Sequence, residues 1–160
     1  MSYFLGIDPS LTATGWAVIK GDRLVASGSI KSKQRGAKRL VEIAKALAEV
    51  VDHHQPDGIA IESATFMAFK SASMGEIQGA IKFLFCASGY REPIYIAPTT
   101  LKKFVTGNGR GEKSDIKAYI LKKWGIMINS NDVADAYGLA KIAQGISEGT
   151  ANNVKYQVGV

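Results

Sequence analysis

Cysteine, histidine and proline are scarce in this chain: one, two and four residues respectively in 160. The single Cys86 rules out an internal disulfide and any zinc site built on paired thiolates. It lies in the apolar stretch Phe83-Leu84-Phe85-Cys86 and reads as a small buried hydrophobe. His53 and His54 close a helical pattern just before Pro56 and read as solvated, with no metal role. Long apolar runs are missing too: nothing approaches the roughly 20 residues of a membrane span. Met1-Ser2 leads straight into a strand without a signal-peptide pattern, so the expected setting is cytoplasmic, with no membrane partner. Negative charge is also in short supply, with 14 Asp+Glu against 20 Lys+Arg, a net charge of +6 and a pI near 9.4. That balance favours a polyanionic partner such as nucleic acid.

The few acids present are concentrated where scenery explains them poorly. Asp8 ends the apolar run Tyr3-Phe4-Leu5-Gly6-Ile7, and Glu62 ends Ile59-Ala60-Ile61. Asp132 and Asp135, spaced i, i+3 at the start of an Ala-rich helix, share one helix face. Each alone has an ordinary reading, a turn residue for Asp8 or a dipole partner for Asp132. Together they do not, because two carboxylates ~4 Å apart repel by about 4 kcal/mol at an effective dielectric near 20. Oxygen ligands without His or Cys suit Mg²⁺ or Mn²⁺. Two such cations per site, bridged by a carboxylate, would serve phosphodiester cleavage. No small-molecule cofactor is expected.

The apolar patterning predicts strands over 3–8, 14–19, 24–30, 57–62 and 94–96, the second and third joined by the turn Lys20-Gly21-Asp22. Helices are expected over about 36–53, 73–88, from Pro98, up to Trp124-Gly125, and over 131–147. The result is an α/β domain over 1–149, with 150–160 as a polar tail. Its mixed five-stranded sheet combines a three-strand antiparallel meander with two parallel strands, and has helices on both faces. Strands one, four and five would be parallel neighbours, bringing Asp8 and Glu62 side by side at carboxyl ends.

At these residues the chain resembles the RuvC-type Holliday junction resolvases, within the ribonuclease H-like nucleases. The matching segments are Gly6-Ile7-Asp8-Pro9 with Thr14-Gly15, and Ile61-Glu62-Ser63 running into Phe66-Met67-Ala68. The Gly107/Gly109 loop with Glu112-Lys113-Ser114 follows, then Asp132-Val133-Ala134-Asp135-Ala136. They keep the family's order and cover about residues 3 to 145. One segment departs from the pattern: Pro9-Ser10-Leu11-Thr12 replaces the Gly-containing turn usual after the first aspartate. The resemblance implies a homodimer that nicks a four-way DNA junction symmetrically, with Asp8, Glu62, Asp132 and Asp135 binding the metals. It implies further that Lys113 stands beside the scissile phosphate, that Lys102 is a second active-site lysine, and that Phe66 contacts DNA.

Around that centre the residues suggest a DNA surface. Phe66 and Phe69, in the irregular stretch after Glu62, are placed to stack on an unpaired base. Lys31, Lys33, Arg35, Lys38 and Arg39 run together without an acid, and Lys102 to Lys123 holds seven basic residues against Glu112 and Asp115. Of these, Lys31, Lys33, Arg35, Lys103, Arg110 and Lys117 are candidate DNA-backbone contacts. The loop from Gly107 to Ser114 is not a P-loop, because Glu112 stands where that motif requires Gly before Lys-Ser. Gly75 and Gly79, four apart on one helix, mark a candidate dimer face. The expected activity is metal-dependent cleavage of branched DNA. Its rivals are a same-fold nuclease acting on forks, flaps or three-way junctions and a module that binds junctions without cutting. An actin-like kinase would need two copies of such a fold, more than 160 residues supply.

Overall fold

Alternation along each strand decides which of two cores a side chain enters. The computed structural model describes residues 2–63, 70–110 and 113–158, with the side chains of 70, 71, 113 and 114 left outside the description. The strands are β1 (Phe4–Asp8), β2 (Thr14–Lys20), β3 (Arg23–Ile30), β4 (Gly58–Glu62), β5 (Ile94–Ile96) and β6 (Gln157–Val158). The helices are α1 (Gly36–His54), α2 (Lys70–Ala87), α3 (Pro98–Thr106), α4 (Lys113–Trp124) and α5 (Asn131–Ser147). They form one sheet in the order β3-β2-β1-β4-β5-β6. β1 pairs antiparallel with β2 and parallel with β4, and β4 pairs parallel with β5.

The sheet has one strand more than the five expected. Gln157 and Val158 fold back antiparallel along β5, a pairing too short for any apolar pattern to announce.

On one face Leu5, Ile7, Val18, Ile59 and Ile61 pack with Ile43 and Leu47 of α1 and with Ile77, Ile81 and Phe85 of α2. On the other, Phe4, Ala17, Ile19 and Ala60 pack under α3, α4 and α5. By the same alternation Asp8 and Glu62, two positions beyond Gly6 and Ala60, face α5.

α5 is buried continuously from Val133 to Gly145, and Ser130 caps it by accepting the Val133 amide at 3.4 Å. It lies unusually close to the sheet. A Cβ built on Gly6 would stand 1.8 Å from the Ala136 carbonyl oxygen, and one on Gly15 would stand 2.4 Å from that of Asp132. Farther along, Tyr137 donates its hydroxyl to the Asp22 carbonyl at 2.7 Å. Lys141 donates to the Asp22 carboxylate at 2.6 Å and to Gln144 Oε1 at 2.6 Å. The β2–β3 turn is thereby pinned to α5.

Cys86, expected inside, is exposed. α2 buries Ile77, Ile81 and Phe85, which leaves Phe83 and Cys86 on the opposite side.

Two buried phenols set the alkaline limit of stability. Burial pushes Tyr95 up to about 12, with Glu92 adding to the shift, and burial together with Asp22 raises Tyr137 further. A phenol that holds its proton more tightly folded than unfolded contributes stability that is complete below the unfolded value near 10. Stability is therefore expected to stay level up to about pH 10 and to fall steadily as pH rises toward 12. Denaturant midpoints across that range check this, and Tyr95→Phe should flatten the slope.

Candidate metal centre and active site

Three chain segments deliver one carboxylate each to the same spot. Asp8 is the last residue of β1 and Glu62 the last of β4, on neighbouring parallel strands. Asp135 comes down from the second turn of α5. Carboxylate oxygens of Asp8, Glu62 and Asp135 all lie within 4.8 Å of one another. Asp8 is 8% exposed and Asp135 4%, while Glu62 is half-buried. At that spacing each ionised pair repels by about 3.5 kcal/mol at an effective dielectric near 20. A divalent cation converts that repulsion into attraction, and a set of three oxygen ligands with no nitrogen or sulfur fits a hard ion.

The local backbone is built for this arrangement. Beyond Asp8 the turn is tied by hydroxyls: Thr14 Oγ1 donates to the Ser10 carbonyl at 2.7 Å and accepts the Ser10 amide at 3.0 Å. Ser10 Oγ in turn accepts the Thr12 amide at 3.2 Å. These bonds close the turn through side chains, and Thr14 is fully buried. Gly15 pairs with Asp8 across β1–β2, and its missing side chain is what lets the first turn of α5 reach the sheet.

Asp132 stands half-buried one turn before Asp135. Among the described residues the three-carboxylate set does not extend to it. Lys102 is half-buried on α3, which begins at Pro98, two residues after Ile96 pairs with Glu62. Lys113 opens α4, with its side chain outside the described residues, as are Phe66 and Phe69. Lys31, Lys33, Arg35, Lys103 and Arg110 are exposed. Lys117 donates to the Asn129 carbonyl at 3.2 Å, which ties α4 to the connection before α5. Gly107 takes the left-handed conformation (φ 79°) that closes α3, its amide bonding the Lys103 carbonyl. Its place in the sequence is thus explained by a helix end.

One polar residue near the site escaped the sequence reading. Gln78 is 9% exposed, and its Nε2 donates to the Glu62 carbonyl at 2.5 Å. The signal was available. Ile77, Gln78, Ile81 and Phe85 fall on one helical face, so an amide there had to find a partner indoors.

Comparison with known proteins agrees with this geometry. The family model for crossover junction endodeoxyribonuclease RuvC matches residues 4–143. The chain is 40% identical over 145 residues to the crossover junction endodeoxyribonuclease RuvC of Parvibaculum lavamentivorans, covering 86% of this chain and 83% of the relative. It is 36% identical over 154 residues to that of Azorhizobium caulinodans, covering 88% of each. Among solved structures it superposes on T. thermophilus RuvC in complex with Holliday junction substrate. That match has a TM-score of 0.79 at 23% identity and covers 98% of this chain and all of that one. A more distant likeness of fold, TM-score 0.52 at 16% identity over 90% of this chain and 98% of the other, joins it to Fowlpox virus resolvase bound to Holliday junction DNA. With the family model spanning nearly the whole domain and relatives above 30% identity across most of their length, this chain belongs to the RuvC family of crossover junction endodeoxyribonucleases.

Proposed function

We propose that this chain resolves Holliday junctions by metal-dependent, symmetric nicking of two strands. The observation that carries the reading is the convergence of Asp8, Glu62 and Asp135 within 4.8 Å on one sheet end. These three would hold Mg²⁺ or Mn²⁺, two ions per site, with Asp132 completing the shell from the preceding turn. When bound, such ions supply Lewis-acid polarisation of the phosphodiester and activation of the attacking water. The chain's own share is positional and electrostatic. Burial of Asp8 and Asp135 excludes bulk water, and Lys113 and Lys102 stabilise charge developing on the phosphoryl oxygens. Phe66 and Phe69 stack on bases opened at the branch point. The exposed Lys31, Lys33, Arg35, Lys103 and Arg110, with Lys117, hold DNA backbone, so affinity falls steeply with salt.

Symmetric nicking needs two copies, and α2 supports a self-complementary face. Ala72, Gly75 and Gly79 are exposed, side chains built on either glycine would meet nothing within 4 Å, and Phe83 is 76% exposed. Two α2 helices crossing antiparallel about a two-fold axis at Gly79 place each Phe83 over the other copy's Gly75, since both residues are four positions from the axis. Burying each Phe83 would stabilise the pair by about 1.5–3 kcal/mol.

The test incubates the protein with labelled four-way, three-way and flap DNA, with Mg²⁺ or with chelator, and measures its mass by sedimentation. Paired nicks in the four-way junction alone, only with Mg²⁺, from a particle of two chains, is the expected result. Equal cutting of flaps would favour the same-fold nuclease of broader substrate range, and binding without cutting would favour a recognition module.

A further inference from the structure

The end of β4 needs one more hydrogen-bond donor than the sheet can give it. The Ser63 amide donates to the Ile96 carbonyl at 2.8 Å, so Ser63 faces β5. Successive residues of a strand turn their backbone groups to opposite neighbours, so the Glu62 carbonyl faces β1. With Ile7 opposite Ile61, the next nitrogen in line on β1 belongs to Pro9, and a prolyl nitrogen carries no hydrogen. The β1–β4 register accordingly stops at Ile7 and Ile61. The missing donor arrives from another element. Gln78 of α2 places Nε2 2.5 Å from the Glu62 carbonyl oxygen. Among the described residues it is the one buried polar side chain of α2, beside Ile77, Ile81 and Phe85.

We propose that Gln78 is a positioning residue for Glu62. Its amide substitutes for the ladder bond that Pro9 withholds, and it holds the carboxylate-bearing ends of β1 and β4 in the geometry that takes up the cation. The bond also spans residues 64–69, since Glu62 precedes that stretch and α2 follows it. Gln78 neighbours Gly79, the centre of the self-association face, so assembly and metal affinity share one helix. This inference rests on the metal-nuclease reading above.

The experiment measures Mn²⁺ binding to the DNA-free protein by calorimetry, beside cleavage as a function of Mn²⁺. Gln78→Met keeps length and burial but loses the donor. It is expected to raise the Mn²⁺ concentration for half-saturation about tenfold, as loss of a partner behind a metal ligand does. Cleavage at saturating Mn²⁺ and junction affinity in chelator should stay near wild type. Pro9→Ala in the Gln78→Met background returns an N–H opposite Glu62 and should recover much of the lost affinity. If Gln78→Met does not fold, Gln78→Leu, apolar and also without a donor, gives the same comparison. A half-saturation point within twofold of wild type for the Gln78 variant, or no recovery with Pro9→Ala, overturns the proposal. Asp8→Asn is run alongside. If it leaves Mn²⁺ binding unchanged, the metal reading itself fails. If it weakens binding while Gln78→Met does not, only the role of Gln78 fails.

Discussion

Asp8→Asn is expected to abolish strand cleavage while leaving junction binding in place. Asparagine keeps the shape of a side chain that is 8% exposed, so the fold has no packing reason to respond. It removes one of the three carboxylate charges gathered within 4.8 Å, and with it a ligand and a large share of the attraction for a divalent ion. Groups that act as a unit lose most of their effect when one is removed, so single-turnover cleavage should fall by at least ~10³-fold. Each like-charge pair at this spacing costs about 3.5 kcal/mol at an effective dielectric near 20, and Asp8 takes part in two of the three pairs, so a bound cation should stabilise the fold through it. Added Mg²⁺ is expected to raise the melting temperature of the wild-type chain more than that of Asp8→Asn; an equal rise in both would count against a cation held by Asp8.

Gly6→Ala carries the largest expected loss of stability. Its new methyl would stand 1.8 Å from the Ala136 carbonyl oxygen and 2.6 Å from the Ala140 nitrogen. Both are main-chain atoms of a fully enclosed helix, so no rotamer change can make room. The helix must lift away from the sheet, at a cost of about 3 kcal/mol or more. At this chain length that is a drop of roughly 6–12 °C in melting temperature. Cleavage should fail with it, because the lifted segment carries Asp135. Gly79→Ala is the matched control for the single chain: within it nothing lies within 4 Å of the added methyl, and alanine favours a helix over glycine by about 1 kcal/mol. At protein concentrations too low for self-association, thermal melts of the two variants should move in opposite directions.

Much of this was legible in the residues because strands advertise themselves by alternation. Phe4-Leu5-Gly6-Ile7-Asp8 and Ile59-Ala60-Ile61-Glu62 end in acids that apolar neighbours force to a strand terminus, and parallel pairing then brings them together. Asp132 and Asp135 share a helix face by their i, i+3 spacing; among the described residues the carboxylate oxygens within 4.8 Å of one another belong to Asp8, Glu62 and Asp135, a difference in reach along the helix that spacing alone does not give. Gln78 was missed because a strand's need for a donor appears only once the register is known. The sixth strand was missed because two residues carry no period. Cys86 was misplaced because an apolar neighbourhood in sequence says nothing of which side of a helix turns outward.

The enclosure of α5 has a consequence for how such an enzyme can diversify. From Val133 to Gly145 every position of that helix is packed, and its backbone lies against Gly6 and Gly15 with no slack. Mutational drift there breaks the molecule before it can retune it. Change in such a chain is left to the outer rim, where Lys31, Lys33 and Arg35 stand exposed on the β3–α1 connection, while the packing beneath stays frozen.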